Sequence, residues 1–322
     1  MMGTINADGK RIAALLFRRI GDSLLAIPAL RAIKLKYPNS HICVLSESHV
    51  KRVFEGLEFV DQVVDVERSP SAIALGTAIR NQKADIALDF LSDPRTAIAC
   101  ALSRAHTRIG FSKSVRQFLY THRIAIQNPR TPVYSAVHKL EFAKALNAAN
   151  GDCLPAIALS EENEKHAKEK MGVEAAKTIA MYVTSRRDYK RWPLDRYSDI
   201  SRKLRSEGFR IAVIAGPGEA AIASEFCAKA NLADESIASF QDIGDMAAFL
   251  KLCNCFVGND GGPKHLAVAV GTRTITVFQN DPWEYWTPPN SPQHIAVGGP
   301  NVSPDIAEVW QAIKRLLIDS NV

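Results

Sequence analysis

Short apolar runs separated by amphipathic stretches recur along the whole chain. Residues 11–17 have the pattern of a buried strand, and residues 22–37 place Leu25, Ala29, Ala32 and Ile33 at helical spacing until Pro38-Asn39-Ser40 ends the run. The alternation continues with a strand at 41–45, a short helix at 47–56, a strand at 61–66, a helix at 72–81 and a strand at 84–89 that ends on carboxylates. A helix at 94–103, a short strand at 107–110 and a helix at 137–147 complete the first half. Residues 150–152 and the polar stretch 160–170 read as a crossover. The pattern then restarts with a strand at 178–183, a helix at 193–207, a strand at 209–215, helices at 220–230 and 244–252, strands at 253–257 and 273–278, and a terminal helix over 304–318. Strands alternating with helices predict an α/β protein whose parallel sheets are covered on both faces, and 322 residues suffice for two doubly wound domains. Ligands in such sheets bind at the carboxyl ends of the strands.

Composition narrows the class. The chain is 47% hydrophobic and 23% charged, as an ordinary globular protein is. It holds no apolar stretch near the roughly 20 residues a membrane span needs, and residues 1–10 lack the apolar core of a signal peptide. A cytosolic protein is expected. Six scattered cysteines fit reduced, buried thiols, with Cys253 and Cys255 expected on one face of a strand. No further soft ligands accompany that pair, so a metal site is not expected.

The net charge of +6 is unevenly spread. Residues 1–36 carry seven Lys/Arg against two Asp, and residues 94–140 carry eight Lys/Arg and no acid. Such a distribution attracts an anionic substrate or an anionic membrane surface. Nucleic acid ranks lower, because no nucleic-acid-binding motif accompanies the charge and aromatics are 7% of residues.

Four loops at strand ends carry candidate chemistry. In Arg18-Arg19-Ile20-Gly21-Asp22-Ser23, Asp22 suits a general base on a substrate hydroxyl, and Arg18 and Arg19 suit an anionic acceptor; an N-cap role for Asp22 competes. Residues 184–193 hold Arg186, Arg187, Lys190 and Arg191 before a helix, an arrangement that can neutralise a pyrophosphate, and Trp192-Pro193 anchors the loop. Gly216-Pro217-Gly218-Glu219 allows close approach of a nucleotide, with Glu219 accepting from ribose hydroxyls. It is not the spaced glycine fingerprint of a dinucleotide site, which counts against a dehydrogenase. The last loop is Gly258-Asn259-Asp260-Gly261-Gly262-Pro263-Lys264-His265-Leu266, read as a strand end opening a helix at 266–270. Its glycines and the free N–H groups at a helix start attract a phosphate, and Asp260 and His265 add side-chain chemistry. A tight turn with Asp260 as N-cap is the alternative.

In their order, Gly21-Asp22-Ser23-Leu24-Leu25 with Pro28-Ala29-Leu30, Lys190-Arg191-Trp192-Pro193, Gly216-Pro217-Gly218-Glu219 and Asp260-Gly261-Gly262-Pro263-Lys264-His265-Leu266 resemble the glycosyltransferase family 9 heptosyltransferases. The resemblance implies the GT-B architecture, two Rossmann-like domains facing across a cleft. An acceptor-binding domain over 1–160, a nucleotide-sugar-binding domain over 161–303 and a last helix over 304–322 that crosses back to the first domain are the expected divisions. It implies transfer of heptose from ADP-heptose to the lipopolysaccharide inner core, with inversion, without a metal and without a cofactor. Asp22 becomes the catalytic base, Lys190 and Arg191 hold the donor phosphates, and Asp260 contacts the sugar. The backbone of Gly261 and Gly262 receives the pyrophosphate, Glu219 lies near the ribose and His265 near the same pocket. Arg18 and Arg19 meet an anionic lipopolysaccharide core acceptor at the inner membrane surface, where the protein would be peripheral.

Two departures from the family pattern stand out. Ser23 replaces an apolar residue after Gly-Asp, and Phe278-Gln279-Asn280-Asp281-Pro282-Trp283-Glu284-Tyr285-Trp286 replaces a Gly-Pro-Thr-Asp-Pro run. The three aromatic residues either cover a base or sugar ring or pack the loop. A sugar-nucleotide epimerase or hydrolase of the same fold is the enzymatic alternative, and a non-catalytic sugar-nucleotide or lipopolysaccharide binding protein is the alternative outside enzymes.

Overall fold

A computed structural model describes residues 5–17, 19–113, 115–148, 152–172 and 177–318. The chain divides into two compact units, Met1–Ala158 and Leu159–Val322. The first contains β1 (Arg11–Leu15), β2 (His41–Glu47), β3 (Gln62–Val66), β4 (Ile86–Asp89), β5 (Thr107–Phe111) and β6 (His122–Ile124), all parallel in the order β3-β2-β1-β4-β5-β6. The second contains β7 (Thr178–Tyr182), β8 (Arg210–Ala215), β9 (Ile237–Ser239), β10 (Cys255–Asn259), β11 (Thr274–Gln279) and β12 (His294–Gly299), again parallel, in the order β12-β11-β10-β7-β8-β9. Counted within each unit, both sheets read 3-2-1-4-5-6. That order reverses direction between β1 and β4 in the first unit and between β7 and β10 in the second. At such a switch point two neighbouring loops diverge to opposite faces and leave a crevice for a ligand.

Each strand of the sheet centre is buried on both faces, as the continuous apolar runs require. In the first unit Ala13, Leu15, Cys43, Leu45, Leu75, Ile79 and Ala97 share a core. Asp89 closes β4 inside it, fully buried, and accepts from the Tyr120 hydroxyl at 2.6 Å and from the Ser92 N–H at 2.9 Å. Burial pushes the Asp89 carboxyl up, against the pull of these hydrogen bonds. Gly110 on β5 makes room for that arrangement, because a Cβ there would lie 2.4 Å from the Tyr120 ring.

In the second unit Trp192, Tyr197, Phe226, Val257 and Val277 form the core, with Trp192 and Tyr197 edge to face at 4.8 Å. The helix Ile306–Ile313 buries Val309 and Ile313 against it. Residues 319–322, the end of the segment expected to return to the first domain, lie outside the described residues.

Several expected elements differ. The single helix over 22–37 is two, Ile20–Leu24 and Ile27–Lys36, because Pro28 has no N–H to continue the first ladder. The polar stretch 160–170 is the helix Glu161–Met171, started by a capping box between Ser160 and Asn163. It buries only Asn163, Ala167 and Met171, so it carries little apolar period. The edge strands β6, β9 and β12 were not anticipated, the first two being only three residues long. Strand β10 starts two residues later than expected, so Cys253 lies outside it and caps the helix Ile243–Leu252. The Cys253 thiol bonds the Phe249 carbonyl at 3.4 Å and does not share a strand face with Cys255. Five cysteines are buried and Cys153 is half-buried, all as free thiols.

The Trp192 indole is fully buried and donates through Nε1 to the Pro304 carbonyl at 2.9 Å. Trp192→Ala should therefore cost about 3–5 kcal/mol in denaturant unfolding, and Trp192→Phe clearly less.

Candidate functional site

The two loops that flank the second switch point are fastened together by one side chain. Asn259 ends β10, and its Oδ1 accepts from the Trp192 N–H and the Tyr197 hydroxyl, both at 3.0 Å. Its Nδ2 donates to the carbonyls of Val183 and Thr184 at 2.9 and 3.2 Å. Every polar group of the buried amide is used, so the basic loop after β7 is held beside the glycine motif. Gly258 allows the approach, since a Cβ there would come within 2.3 Å of the Tyr182 carbonyl. Gly261 is extended and faces the Tyr182 ring, which a Cβ would meet at 2.9 Å.

The helix after the motif is Gly262–Ala269, four residues earlier than expected at 266. Pro263 suits the first turn, where no backbone donor is needed. The earlier start places Lys264 and His265 in the first turn, both buried. Gly261 occupies the N-cap position, so the N-cap reading of Asp260 does not hold.

Asp260 is the centre of a charged cluster. Lys264 Nζ lies 3.0 Å and His265 Nε2 3.7 Å from its Oδ1, and Lys190 Nζ lies 3.8 Å from its Oδ2. Burial alone would push this carboxyl up, but Lys264, His265 and Lys190 outweigh it and hold the group below its ordinary value. Lys190 is also paired with Asp281, inside the run that departs from the family pattern. Trp286 covers the cluster. Lys264 donates to its carbonyl at 2.6 Å, Lys190 lies 5.7 Å from its ring centre, and His265 meets it edge to face at 5.9 Å. The aromatic run thus forms the short helix Trp283–Trp286 against the charged groups.

Glu219 and Arg191 stand differently from Lys190. Both Glu219 oxygens are engaged, one accepting from the Tyr182 hydroxyl and one from the Gly216 N–H, each at 2.8 Å. Arg191 braces its own loop through the Ser185 carbonyl at 2.8 Å and Asp188 at 3.0 Å. The site therefore brings Lys190, Asp260, Gly261, Gly262 and His265 together, with Glu219 linked through Tyr182, and leaves Arg191 turned into its loop.

In the first unit Asp22 lies inside the helix Ile20–Leu24, so its N-cap reading also fails. Arg19 takes that position, with φ at +51° and no side-chain cap, a backbone region that side chains seldom adopt. Arg18 lies outside the described residues. The Asp22 side chain is 42% exposed, and the buried Lys139 of the helix Ser135–Ala145 sits against it. Lys139 Nζ donates to the Asp22 carbonyl at 2.9 Å and lies 3.8 Å from its Oδ1. Burial pulls the Lys139 ammonium down, and Asp22 opposes that pull.

Sequence reasoning gave no role to Asn259, Lys264, Asp281, Tyr182 or Lys139. Lys264 had a signal, a cation between two glycine-rich positions and a histidine. The others had none, because their partners are far away in the chain. Among the described residues no group of three or more His, Cys, Asp or Glu side chains is arranged to hold a metal ion.

Two parallel sheets of the same order, each with charged or glycine-containing loops at its switch point, place the chain in the doubly wound α/β class. The solved structure of glycosyl transferase family 9 from Veillonella parvula is similar to it with a TM-score of 0.86 at 19% identity, covering 98% of this chain and 99% of that one. The ADP-heptose lps heptosyltransferase II of Escherichia coli matches with a TM-score of 0.80 at 16% identity, covering 97% of this chain and 100% of that one. Both likenesses fix the fold as GT-B. Lipooligosaccharide heptosyltransferase 2 of Haemophilus influenzae is 20% identical over 293 residues, 84% of each chain. The family profile for glycosyltransferase family 9 (heptosyltransferase) matches residues 72–310, and the chain belongs to that family. It is a glycosyltransferase.

His294, at the start of β12, is pushed down to about 4 by burial and then by the Lys264 ammonium. The folded protein keeps it neutral where the unfolded chain, near 6.5, binds a proton. Stability should therefore fall as pH drops from about 6.5 to about 4, by roughly 3 kcal/mol, and His294→Gln should flatten that slope in urea titrations at each pH.

Proposed function

We propose that this glycosyltransferase moves a heptose from ADP-heptose to an anionic lipopolysaccharide core acceptor, inverting the anomeric centre without a metal ion. The observation that carries the reading is the cluster of buried Asp260, Lys264 and His265 with half-buried Lys190 at the start of the helix Gly262–Ala269. A helix start offers free N–H groups to a pyrophosphate, and nearby ammonium groups offset the charge that develops as the sugar leaves. The heptosyltransferase relatives from Haemophilus and Escherichia support heptose as the sugar and lipopolysaccharide or lipooligosaccharide as the acceptor class.

In this mechanism the backbone of Gly261 and Gly262 receives the donor diphosphate, and Lys190 exchanges Asp281 for phosphate oxygens. Asp260 accepts from hydroxyls of the sugar, His265 lines the same pocket, and Glu219 accepts from the ribose. Arg191 contributes positive charge at the loop. The acceptor hydroxyl gives its proton to Asp22 while its oxygen bonds to the anomeric carbon. The bond from that carbon to the diphosphate oxygen breaks on the opposite face, which inverts the centre, and ADP leaves with the electron pair. Arg18 and Arg19 hold anionic groups of the acceptor. No helix among the described residues is long and apolar enough to cross a membrane. Access to a lipid-borne acceptor then calls for a cytoplasmic protein that docks peripherally on the inner membrane.

Asp22→Asn should keep donor binding and lower transfer at least a hundredfold, read as sugar incorporated into a core acceptor. Retention of transfer within a few-fold would remove Asp22 as base. Incubation with donor alone separates the neighbouring chemistry, because an epimerase or hydrolase would consume ADP-heptose with no acceptor present. Lys139→Met should lower kcat about tenfold with the donor KM within about threefold, since it loosens the base without touching the donor loops.

A further inference from the structure

Five of the ten large apolar side chains exposed among the described residues lie between Leu102 and Val133. That is the same part of the chain, residues 94–140, that holds eight Lys/Arg and no Asp or Glu. Scattered exposed apolar residues are normal on a protein surface, but concentration in one acid-free segment is not.

The fold gathers the strongest of them at one margin of the first sheet. β6 is its outermost strand, and the 3-10 helix Val115–Leu119 forms the short crossover from β5 to β6. The inward half of that crossover is anchored. Tyr120 is buried beside Asp89, and Arg108 Nε donates to the Leu119 carbonyl at 2.8 Å. Its outward half is bare, with Val115 at 84% and Phe118 at 66% exposure. The Ser112 N–H bonds the Ile124 carbonyl at 2.8 Å, which brings the start of the crossover beside the end of β6. Ile126, 56% exposed, follows there. Lys113 precedes Val115, Arg116 is half-buried in the crossover, and Arg123 is exposed on β6.

We propose that this margin, with Val115 and Phe118 as apolar anchors and Lys113, Arg116 and Arg123 around them, docks the enzyme onto an anionic phospholipid surface. The combination has the two components such binding needs. Apolar side chains enter the boundary between headgroups and acyl chains, and basic side chains meet lipid phosphates. Phe118 gives an aromatic ring to the boundary, and the lack of any carboxylate in the segment leaves nothing to repel the headgroups. A second copy of this chain would present the same positive margin and be repelled by it, so a lipid surface is the complementary occupant. The inference rests on the reading that the acceptor is borne on a lipid, and it names the face that reaches it.

The test uses the full chain and vesicles of phosphatidylcholine with or without phosphatidylglycerol. The parent protein should co-sediment with the anionic vesicles and not with the neutral ones, and high salt should release it. Val115→Ser with Phe118→Ser should lower binding at least tenfold, and Lys113→Gln with Arg123→Gln about fivefold per charge. These positions are exposed, so the variants should keep the parental unfolding midpoint. They should also transfer sugar normally to a core oligosaccharide freed of lipid, while losing transfer to the same core in vesicles.

Equal sedimentation of parent and variants would overturn the proposal. So would loss of transfer to the lipid-free acceptor, which would make the margin an acceptor contact, or a variant-dependent change in sedimentation mass, which would make it a self-association face. If the parent transferred sugar to neither acceptor, the functional reading would fail, while vesicle binding would still decide the docking face.

Discussion

Burying a carboxylate is the constraint from which the second unit's loops follow. Asp260 is nine-tenths buried and stays ionised only because cations stand on more than one side of it. Lys264 and His265 come from the helix that Asp260 precedes, which is why the helix must start at Gly262. Lys190 comes from a loop some seventy residues earlier and needs an anchor of its own. Asn259 supplies it by tying the backbone of that loop to the end of β10. Trp286 then lies against the charges, and its carbonyl accepts a Lys264 hydrogen bond. Charge compensation, helix start and loop anchoring are thus one arrangement.

The first unit uses the same strand order with a lighter arrangement. Its switch point has Asp22 in the short helix that follows β1 and the buried Asp89 at the end of β4. These two carboxylates are in opposite circumstances. Asp89 is enclosed by Tyr120 and backbone N–H groups and serves the packing of β4 against β5. Asp22 is open to solvent on one side and faces a buried ammonium on the other. Only the second is open to solvent, so burial separates two carboxylates that both follow central strands of the sheet.

Much of the fold was legible because its signals are local. The helices Ala72–Asn81 and Ala220–Ala230 fall at the expected bounds, since an amphipathic period bounded by a serine cap or a glycine turn needs no knowledge of distant partners. The helix Glu161–Met171 and the strands β6, β9 and β12 were not legible for the complementary reason. The helix buries few apolar residues, and the edge strands are short or end in glycines. The break between Ile20–Leu24 and Ile27–Lys36 had a local sign in Pro28, masked by the apolar spacing that runs through it.

The sequence by itself determined the alternation of strands and helices, the division into two halves, the four loops that hold the charged and glycine residues, and a resemblance that the family match bears out. These depend on side-chain order within a few turns. The tertiary structure alone decided which side chains meet. Asn259 bonds partners 62 to 76 residues away, Lys264 reaches a carbonyl 22 residues on, and Lys139 reaches Asp22 across 117 residues. No periodicity encodes such pairs, because parallel sheets join strands through crossovers and bring loops together only when the sheet has formed. The same holds for exposure. The order of residues does not tell that Val115 and Phe118 are exposed, and the course of the β5 to β6 crossover turns them outward.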